Sequence, residues 1–283
     1  MTPPNELPLV FGSDRHLVGT LTMPATGPTQ RTAFVLLNAG VIHRIGPHRI
    51  NVKLARELAS QGFNTLRFDL SGQGDSRAPS SSGDFTAQAV ADIRAAMDHL
   101  ERTTDVHRFV IAGICSGADN GLAAALADDR VVGLCLLDGY TYPTAKTRWV
   151  RLKRRLRGPL LSAVLPWALR RLTALSVAIA RRRGDTLALV DNDRRFPSRE
   201  EFAKSMQTLV DRGVEVCLVY SGSLLPQYNY DDQFRDAFAQ YGFATRVRSE
   251  YRPDIDHSVT PVGAQQQLLE LVSGWARTLP NPA

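Results

Sequence analysis

Cysteine is scarce in this sequence. Its 283 residues include only Cys115, Cys135 and Cys217, an odd number without framework spacing. A secreted scaffold held by disulfides is therefore disfavoured, and a reducing compartment fits better. The N-terminal residues MTPPNELPLV also lack the basic and apolar regions of a secretory signal peptide. We therefore predict a cytoplasmic location.

Apolar stretches suited to a membrane span are lacking as well. The longest candidate runs from Leu160 to Ala180, but it contains Pro166 and the pair Arg170-Arg171, which argue against a transmembrane helix. With 43% hydrophobic and 22% charged residues, the composition is that of an ordinary globular protein and excludes a disordered chain. The length suits one large α/β domain.

Acidic residues are missing from one segment. Between Thr141 and Gly184 there are twelve Lys or Arg and no Asp or Glu, so the rest of this +6 chain carries −6. Apolar residues at helical spacing lie on both sides of Gly158-Pro159 in this segment. We interpret 141–204 as a basic helical cap inserted into a core formed by 1–140 and 205–283.

A basic run is often only a solvated surface. Its functional interpretations are an acidic protein partner, such as a carrier protein that presents an acyl thioester, or an anionic membrane surface. No nucleic-acid recognition motif accompanies the charge, so we expect no nucleic-acid partner. No pattern specifies an oligomeric state.

Apolar strand-like runs alternate with amphipathic helical patterns along the chain. An N-terminal hairpin (Leu9–Phe11 and His16–Met23) comes first. The expected strands are Phe34–Gly40, Phe63–Leu70, Arg108–Ile114, Val131–Leu137, Val214–Tyr220 and Ala244–Tyr251, and the expected helices are Asn51–Gln61, Ala87–Glu101, Asp119–Ala127 and Val262–Thr278. This alternation predicts an α/β fold with a mostly parallel, doubly wound sheet.

A small-residue turn follows one buried strand. In the run FVIAGICSGA over residues 109–118, Gly113 and Gly117 bracket Cys115. Small residues two before and two after a nucleophile allow the tight strand-turn-helix called a nucleophile elbow. If Ser116 were the nucleophile, bulky Ile114 would occupy a position that must be small. The pattern thus favours Cys115 as the nucleophile.

Four motifs in order carry a resemblance to the α/β-hydrolase superfamily. They are Asn38-Ala39-Gly40, the run FDLSGQGDS over residues 68–76, the Gly-Ile-Cys-Ser-Gly elbow and Asp256-His257-Ser258. The resemblance implies an α/β-hydrolase fold. More narrowly, the cysteine elbow and Gly46-Pro47-His48-Arg49 resemble a bacterial branch that includes exosortase-associated and serine-aminopeptidase-like hydrolases.

The resemblance assigns expected roles to these residues. Cys115 is the expected nucleophile, the alternative being a small buried hydrophobe in a dead site. His257 is the expected general base, because the family places its histidine in that loop. The usual acid after the 214–220 strand is missing, since Ser221-Gly222-Ser223 stands there. Three alternatives stay open for the acid: Asp138, Asp231, or none.

The loop after Phe34–Gly40 is expected to complete the site. The backbone N–H of Ser116 and that of Gly40 or Val41 are the candidate oxyanion-hole donors. Val41, His43 and His48 are candidates for lining the substrate pocket, because this loop overhangs the elbow. Gly72 and Gly74 are interpreted as turn residues and not as a dinucleotide motif.

These patterns together predict an enzyme. We expect a hydrolase or acyl transferase that acts on a small-molecule or carrier-bound ester or thioester through a cysteine nucleophile, with no cofactor and no metal. The alternative is a non-catalytic hydrolase-fold module that recruits an acidic partner through its basic cap.

Overall fold

A computed structural model describes residues 4–27, 29–78, 84–157, 196–224 and 227–280. The strands are β1 (Asn5–Phe11), β2 (Leu17–Met23), β3 (Thr32–Leu36), β4 (Asn64–Phe68), β5 (Arg108–Ile114), β6 (Val131–Leu137), β7 (Glu215–Ser221) and β8 (Arg248–Arg252). The helices are α1 (Ile50–Ser60), α2 (Phe85–Thr103), α3 (Ser116–Ala127), α4 (Ala145–Arg157), α5 (Arg199–Asp211), α6 (Gln233–Ala237) and α7 (Val262–Ala276).

All of these strands join one sheet, in the order β1-β2-β4-β3-β5-β6-β7-β8. β1 pairs with β2 and β2 with β4 in antiparallel fashion, and the other neighbours run parallel. Because parallel strands need crossover connections, helices cover both faces. The predicted mostly parallel, doubly wound α/β fold is confirmed.

The sheet carries an apolar layer on each face. In β5, Phe109 and Ile111 belong to one buried cluster and Val110 and Ala112 to the other, as the alternation of side chains along a strand requires. Burial on both faces explains why the central strands are continuous apolar runs. The carboxyl ends of the parallel strands share one edge, and the loops after them meet there.

Helix α3 and strand β8 begin at other residues than the sequence predicts. Helix α3 begins at Ser116 and not at Asp119, because small residues such as Ser116 and Gly117 are tolerated in a first helical turn. The last strand begins only at Arg248, and Gly242–Thr245 forms a 3-10 turn. Phe243 and Ala244 in that turn are buried, so it mimics an apolar strand in sequence.

Most of the predicted cap at 141–204 lies outside the described residues, including the second of its two helical faces. Its described ends are α4 and the first part of α5. The predicted boundary at 204 falls within α5, where Phe202, Ala203 and Met206 join the same buried cluster as the sheet. The cap stays a prediction. Within the described ranges, no helix combines the length and the apolar character needed to cross a membrane.

Candidate active site

Cys115 occupies the apex of a tight turn between β5 and α3. Its backbone has φ 58° and ψ −119°, a conformation that costs a non-glycine residue about 1–3 kcal/mol. A Cβ added to Gly113 would lie 2.2 Å from the Gly117 carbonyl oxygen, and one added to Gly117 would lie 2.4 Å from that of Asn38. The turn therefore requires glycine at both positions that bracket Cys115.

Helix α3 starts directly after Cys115. The Cys115 carbonyl accepts hydrogen bonds from the N–H groups of Ala118 at 2.9 Å and Asp119 at 3.3 Å, so the cysteine is the residue that precedes the first helical turn. A helix N-terminus stabilises negative charge nearby, and this position favours the thiolate form of a cysteine.

His257 lies in the loop after β8, Asp138 directly follows β6, and both side chains reach the elbow. His257 Nδ1 lies 2.7 Å from Asp138 Oδ2, and the same imidazole has a side-chain hydrogen bond with Cys115. The loop that carries His257 is closed by Asp256, whose carboxylate accepts from the N–H and hydroxyl of Thr260, both at 2.7 Å. The structure thus brings Cys115, His257 and Asp138 together.

The carboxylate of Asp138 is fully buried and is held by Ser221. Asp138 Oδ1 accepts from the Ser221 N–H at 2.7 Å, and Oδ2 accepts from the Ser221 hydroxyl at 2.7 Å. Ser223 Oγ accepts from the His257 N–H at 2.9 Å. Counting His257, three donors surround this buried carboxylate. Of the two serines that stand where an acid is usual, Ser221 positions the Asp138 carboxylate, which directly follows β6, and Ser223 holds the backbone of His257.

The sequence does not single out Ser221 and Ser223, because the segment after β7 is notable there only for the acid that it lacks. Gly222 between them is also constrained, since an added Cβ would lie 2.1 Å from the Pro253 carbonyl oxygen. Asp231, the other candidate acid, lies in an exposed turn. The signal that could have found Ser221 is its position directly after β7, beside the end of β6.

The pKa of His257 is raised to about 10, first by its hydrogen bond with Asp138 and then by the one with Cys115. At neutral pH the imidazole therefore holds its proton. An imidazolium beside a thiol favours a thiolate-imidazolium pair. The proton needed by a leaving group is then already on His257.

The loop after β3 is shaped by the buried amide of Asn38. Its Nδ2 donates to the Ile42 carbonyl at 2.7 Å and to Asp69 Oδ1 at 3.1 Å, and its Oδ1 accepts from the Leu70 N–H at 3.1 Å. The next turn carries Gly40, with φ 58° and its amide directed at the side chain of Ser116, 2.8 Å away. The loop after β3 and the elbow therefore meet at Gly40.

A second buried carboxylate, Asp69, ties this loop to the glycine-rich loop after β4. Arg44 donates to Asp69 from its backbone N–H at 2.6 Å and from its guanidinium at 2.5 Å, and the guanidinium also reaches Asp75 at 2.7 Å. A Cβ on Gly74 would lie 2.4 Å from the Asp69 carboxylate, which explains this glycine as a turn residue. His43, Asp69 and Asp75 have ligand-type atoms within 4.8 Å of one another, but Arg44 already supplies their positive charge.

Asp69→Ala is expected to lower the free energy of unfolding by about 3–5 kcal/mol, because it leaves the partly buried Arg44 cation without its buried partner. The measurement is urea unfolding of the full chain. Asp75→Ala is the matched control, because Asp75 pairs with the same guanidinium but its side chain is 59% exposed. Its loss should stay within about 1 kcal/mol. Equal losses from the two variants would contradict the assignment.

The three candidate pocket residues lie along the same loop and its continuation. Val41 is 73% exposed, and His43 accepts from the Arg44 guanidinium at 2.6 Å through Nε2. His48 lies in a 3-10 turn with φ 50°. Their assignment to a substrate pocket stays a prediction.

The comparisons with known proteins agree with this architecture. The family model for the alpha/beta hydrolase fold matches residues 35–242. The chain belongs to the alpha/beta hydrolase family. The matched residues include the elbow and Asp138, whereas His257 lies beyond them. No curated protein matches the chain in sequence.

Several solved structures share this hydrolase fold. An α/β serine hydrolase without a lid from Xanthomonas campestris has a TM-score of 0.56 at 14% identity, covering 100% of this chain and 98% of that one. A thermophilic esterase from Thermogutta terrifontis has 0.56 at 16%, covering 97% and 99%. An esterase from Pyrococcus furiosus has 0.58 at 14%, covering 98% and 91%. At such identities the likeness shows the fold alone.

Proposed function

We propose that this chain is a hydrolase or acyl transferase that acts on esters or thioesters through Cys115. The Cys115 thiolate attacks the carbonyl carbon, a C–S bond forms, and the carbonyl π pair moves to the oxygen. The oxyanion re-forms the carbonyl and expels the alkoxide or thiolate leaving group, which takes the proton of His257. Neutral His257 then removes a proton from water or another acceptor as its nucleophilic atom attacks the thioester carbonyl and forms a second oxyanion. That oxyanion re-forms the carbonyl, the C–S bond breaks, and the acyl product leaves with the Cys115 thiolate and protonated His257 restored.

The observation that carries this proposal is the Cys115-His257-Asp138 arrangement at the elbow. A strained apex, a helix N-terminus and an imidazole held by a buried carboxylate act on the same sulfur. A cysteine that served only for packing would need none of these three features. Cys135 and Cys217, which lie within strands and are buried, have none of them.

The test of the proposal is trapping of an acyl-enzyme. The chain is mixed with p-nitrophenyl acetate and its intact mass is recorded within the first turnovers. We expect a single acetyl adduct that maps to Cys115. If no adduct forms and an acidic protein still binds in a salt-sensitive manner, the non-catalytic binding module is the correct function.

Iodoacetamide should alkylate Cys115 well before the other two cysteines. Cys135 and Cys217 face each other in register on β6 and β7, and a thiol-thiol hydrogen bond together with burial raises the pKa of Cys135 well above its usual value. Protonated thiols are poor nucleophiles. Peptide mapping after timed labelling measures the three rates, and equally slow labelling of all three would contradict an activated Cys115.

The finer assignments from the sequence belong to the same proposal. The cysteine elbow supports a branch like the exosortase-associated hydrolases. An acidic carrier protein or an anionic membrane at the cap is supported by α4, where Trp149 and Leu152 are 65% and 47% exposed among basic residues. The cytoplasmic location stays a prediction.

A further inference from the structure

The Gly40 amide, a candidate oxyanion-hole donor, already has an acceptor. Its N–H donates to Ser116 Oγ at 2.8 Å, across 76 residues of sequence. Ser116 is the residue directly after Cys115, so its hydroxyl lies at the same corner of the elbow as its own backbone N–H. The sequence pattern itself points only to that N–H as a donor from Ser116.

The Ser116 hydroxyl has a hydrogen to give. A serine hydroxyl both accepts and donates and can rotate to suit its partners. Within the described part of the chain, the contact with Gly40 is the one hydrogen bond of this side chain, and in it the oxygen is the acceptor. An O–H that accepts from an amide is also polarised toward being a better donor.

The backbone of Gly40 is open on the side where another residue would carry its side chain. Among the residues that the structure describes, none has an atom within 4 Å of a Cβ built on Gly40. The Gly40 nitrogen and Ser116 Oγ are only 2.8 Å apart. A single oxygen can therefore lie at hydrogen-bond distance from both atoms, which is the geometry needed for a shared acceptor.

We propose that the Ser116 hydroxyl is a third oxyanion donor, acting beside the amides of Gly40 and Ser116. This inference rests on the proposed function. As the Cys115 sulfur bonds to the carbonyl carbon, the π pair moves to the carbonyl oxygen. That oxygen accepts the Gly40 N–H, which turns from Ser116 Oγ, and the freed hydroxyl donates its own hydrogen. No proton is transferred to the oxygen.

Two reactions of Cys115 separate this role from others. Acylation by p-nitrophenyl acetate passes through an oxyanion, whereas alkylation by iodoacetamide displaces iodide at carbon and forms none. In Ser116→Ala, acylation should slow by about tenfold or more, a part of the 10²–10³-fold effect of losing one oxyanion donor, with kcat reduced and KM little changed. Alkylation should proceed at the wild-type rate. Ser116→Thr, which keeps a hydroxyl, should recover most of the acylation rate.

Other outcomes overturn the proposal. Unchanged or faster acylation in Ser116→Ala would mean that the hydroxyl is idle or blocks the Gly40 amide. An equal fall in the rates of acylation and alkylation would mean that the Ser116 hydroxyl acts on the reactivity of the Cys115 thiol or on the fold, and not on the oxyanion. Acylation of Ser116→Thr as slow as that of Ser116→Ala would show that the hydroxyl is not the cause. Failure of the wild-type chain to acylate, despite rapid alkylation, would refute the proposed function itself.

Discussion

Cys115→Ala should lower kcat/KM for p-nitrophenyl acetate by about 10⁴-fold or more, because loss of the nucleophile leaves only binding and the oxyanion donors. The fold should tolerate the change, since alanine is smaller and Cys115 is only partly buried. Intact mass after mixing with the ester should show no acetyl adduct. Steady-state kinetics and urea unfolding of the same preparation provide the measurements.

Cys115→Ser tests which chemistry the site is built for. Serine keeps the shape of the side chain, but its hydroxyl does not ionise near neutral pH. Because His257 already holds a proton, it cannot act as the base for that hydroxyl. We expect Cys115→Ser to lose most activity despite its similarity to serine hydrolases. Cys217→Ala, which removes a buried thiol of β7, should keep turnover. Retained turnover in Cys115→Ala would mean that another residue is the nucleophile and would contradict the proposed site.

The elbow could be predicted from sequence because its constraint is local. Contacts within the turn and with Asn38 require glycine at 113 and 117. The spacing of these two glycines around Cys115 is therefore enough to predict the tight turn. His257 could be placed through the family's motif order. Both predictions depend on residues whose separation along the chain is itself the signal.

The acid and the loop anchors depend on contacts that sequence spacing does not encode. Asp138 stayed one of three alternatives until a 2.7 Å contact joined it to His257, 119 residues away. In the sequence Ser221 is an ordinary polar residue. Its role depends on Asp138, which lies 83 residues away along the chain and is brought next to it by the pairing of β6 with β7. Arg44 likewise reads as a surface charge until Asp69 and Asp75 are placed around it.

Asp138→Asn should lower kcat for an alkyl ester by about 10²-fold, less than the roughly 10⁴-fold loss of the same change in a Ser-His-Asp triad. The loss is smaller because a thiol is more acidic than a hydroxyl and needs less help from the histidine. The physical cause is a mismatch of donors. The carboxylate accepts from Ser221 N–H, Ser221 Oγ and His257 Nδ1, whereas the amide NH₂ must face one of those donors.

The same variant should also change the pH dependence, and the sign follows from His257. Its hydrogen bond with Asp138 is the largest cause of a pKa near 10, so the amide lets that pKa fall toward its ordinary value. An alkyl leaving group needs the His257 proton, so the alkaline limb of its kcat/KM profile should move from about 10 to lower pH.

Two controls make this test specific to Asp138. A p-nitrophenolate leaving group needs no proton, so Asp138→Asn should lose less activity with p-nitrophenyl acetate than with an alkyl ester. Asp231→Asn, at the exposed alternative acid, should leave both the rate and the pH profile as in the wild type. An unchanged alkaline limb in Asp138→Asn, or an equal loss with both esters, would mean that Asp138 holds the fold and does not hold the proton on His257.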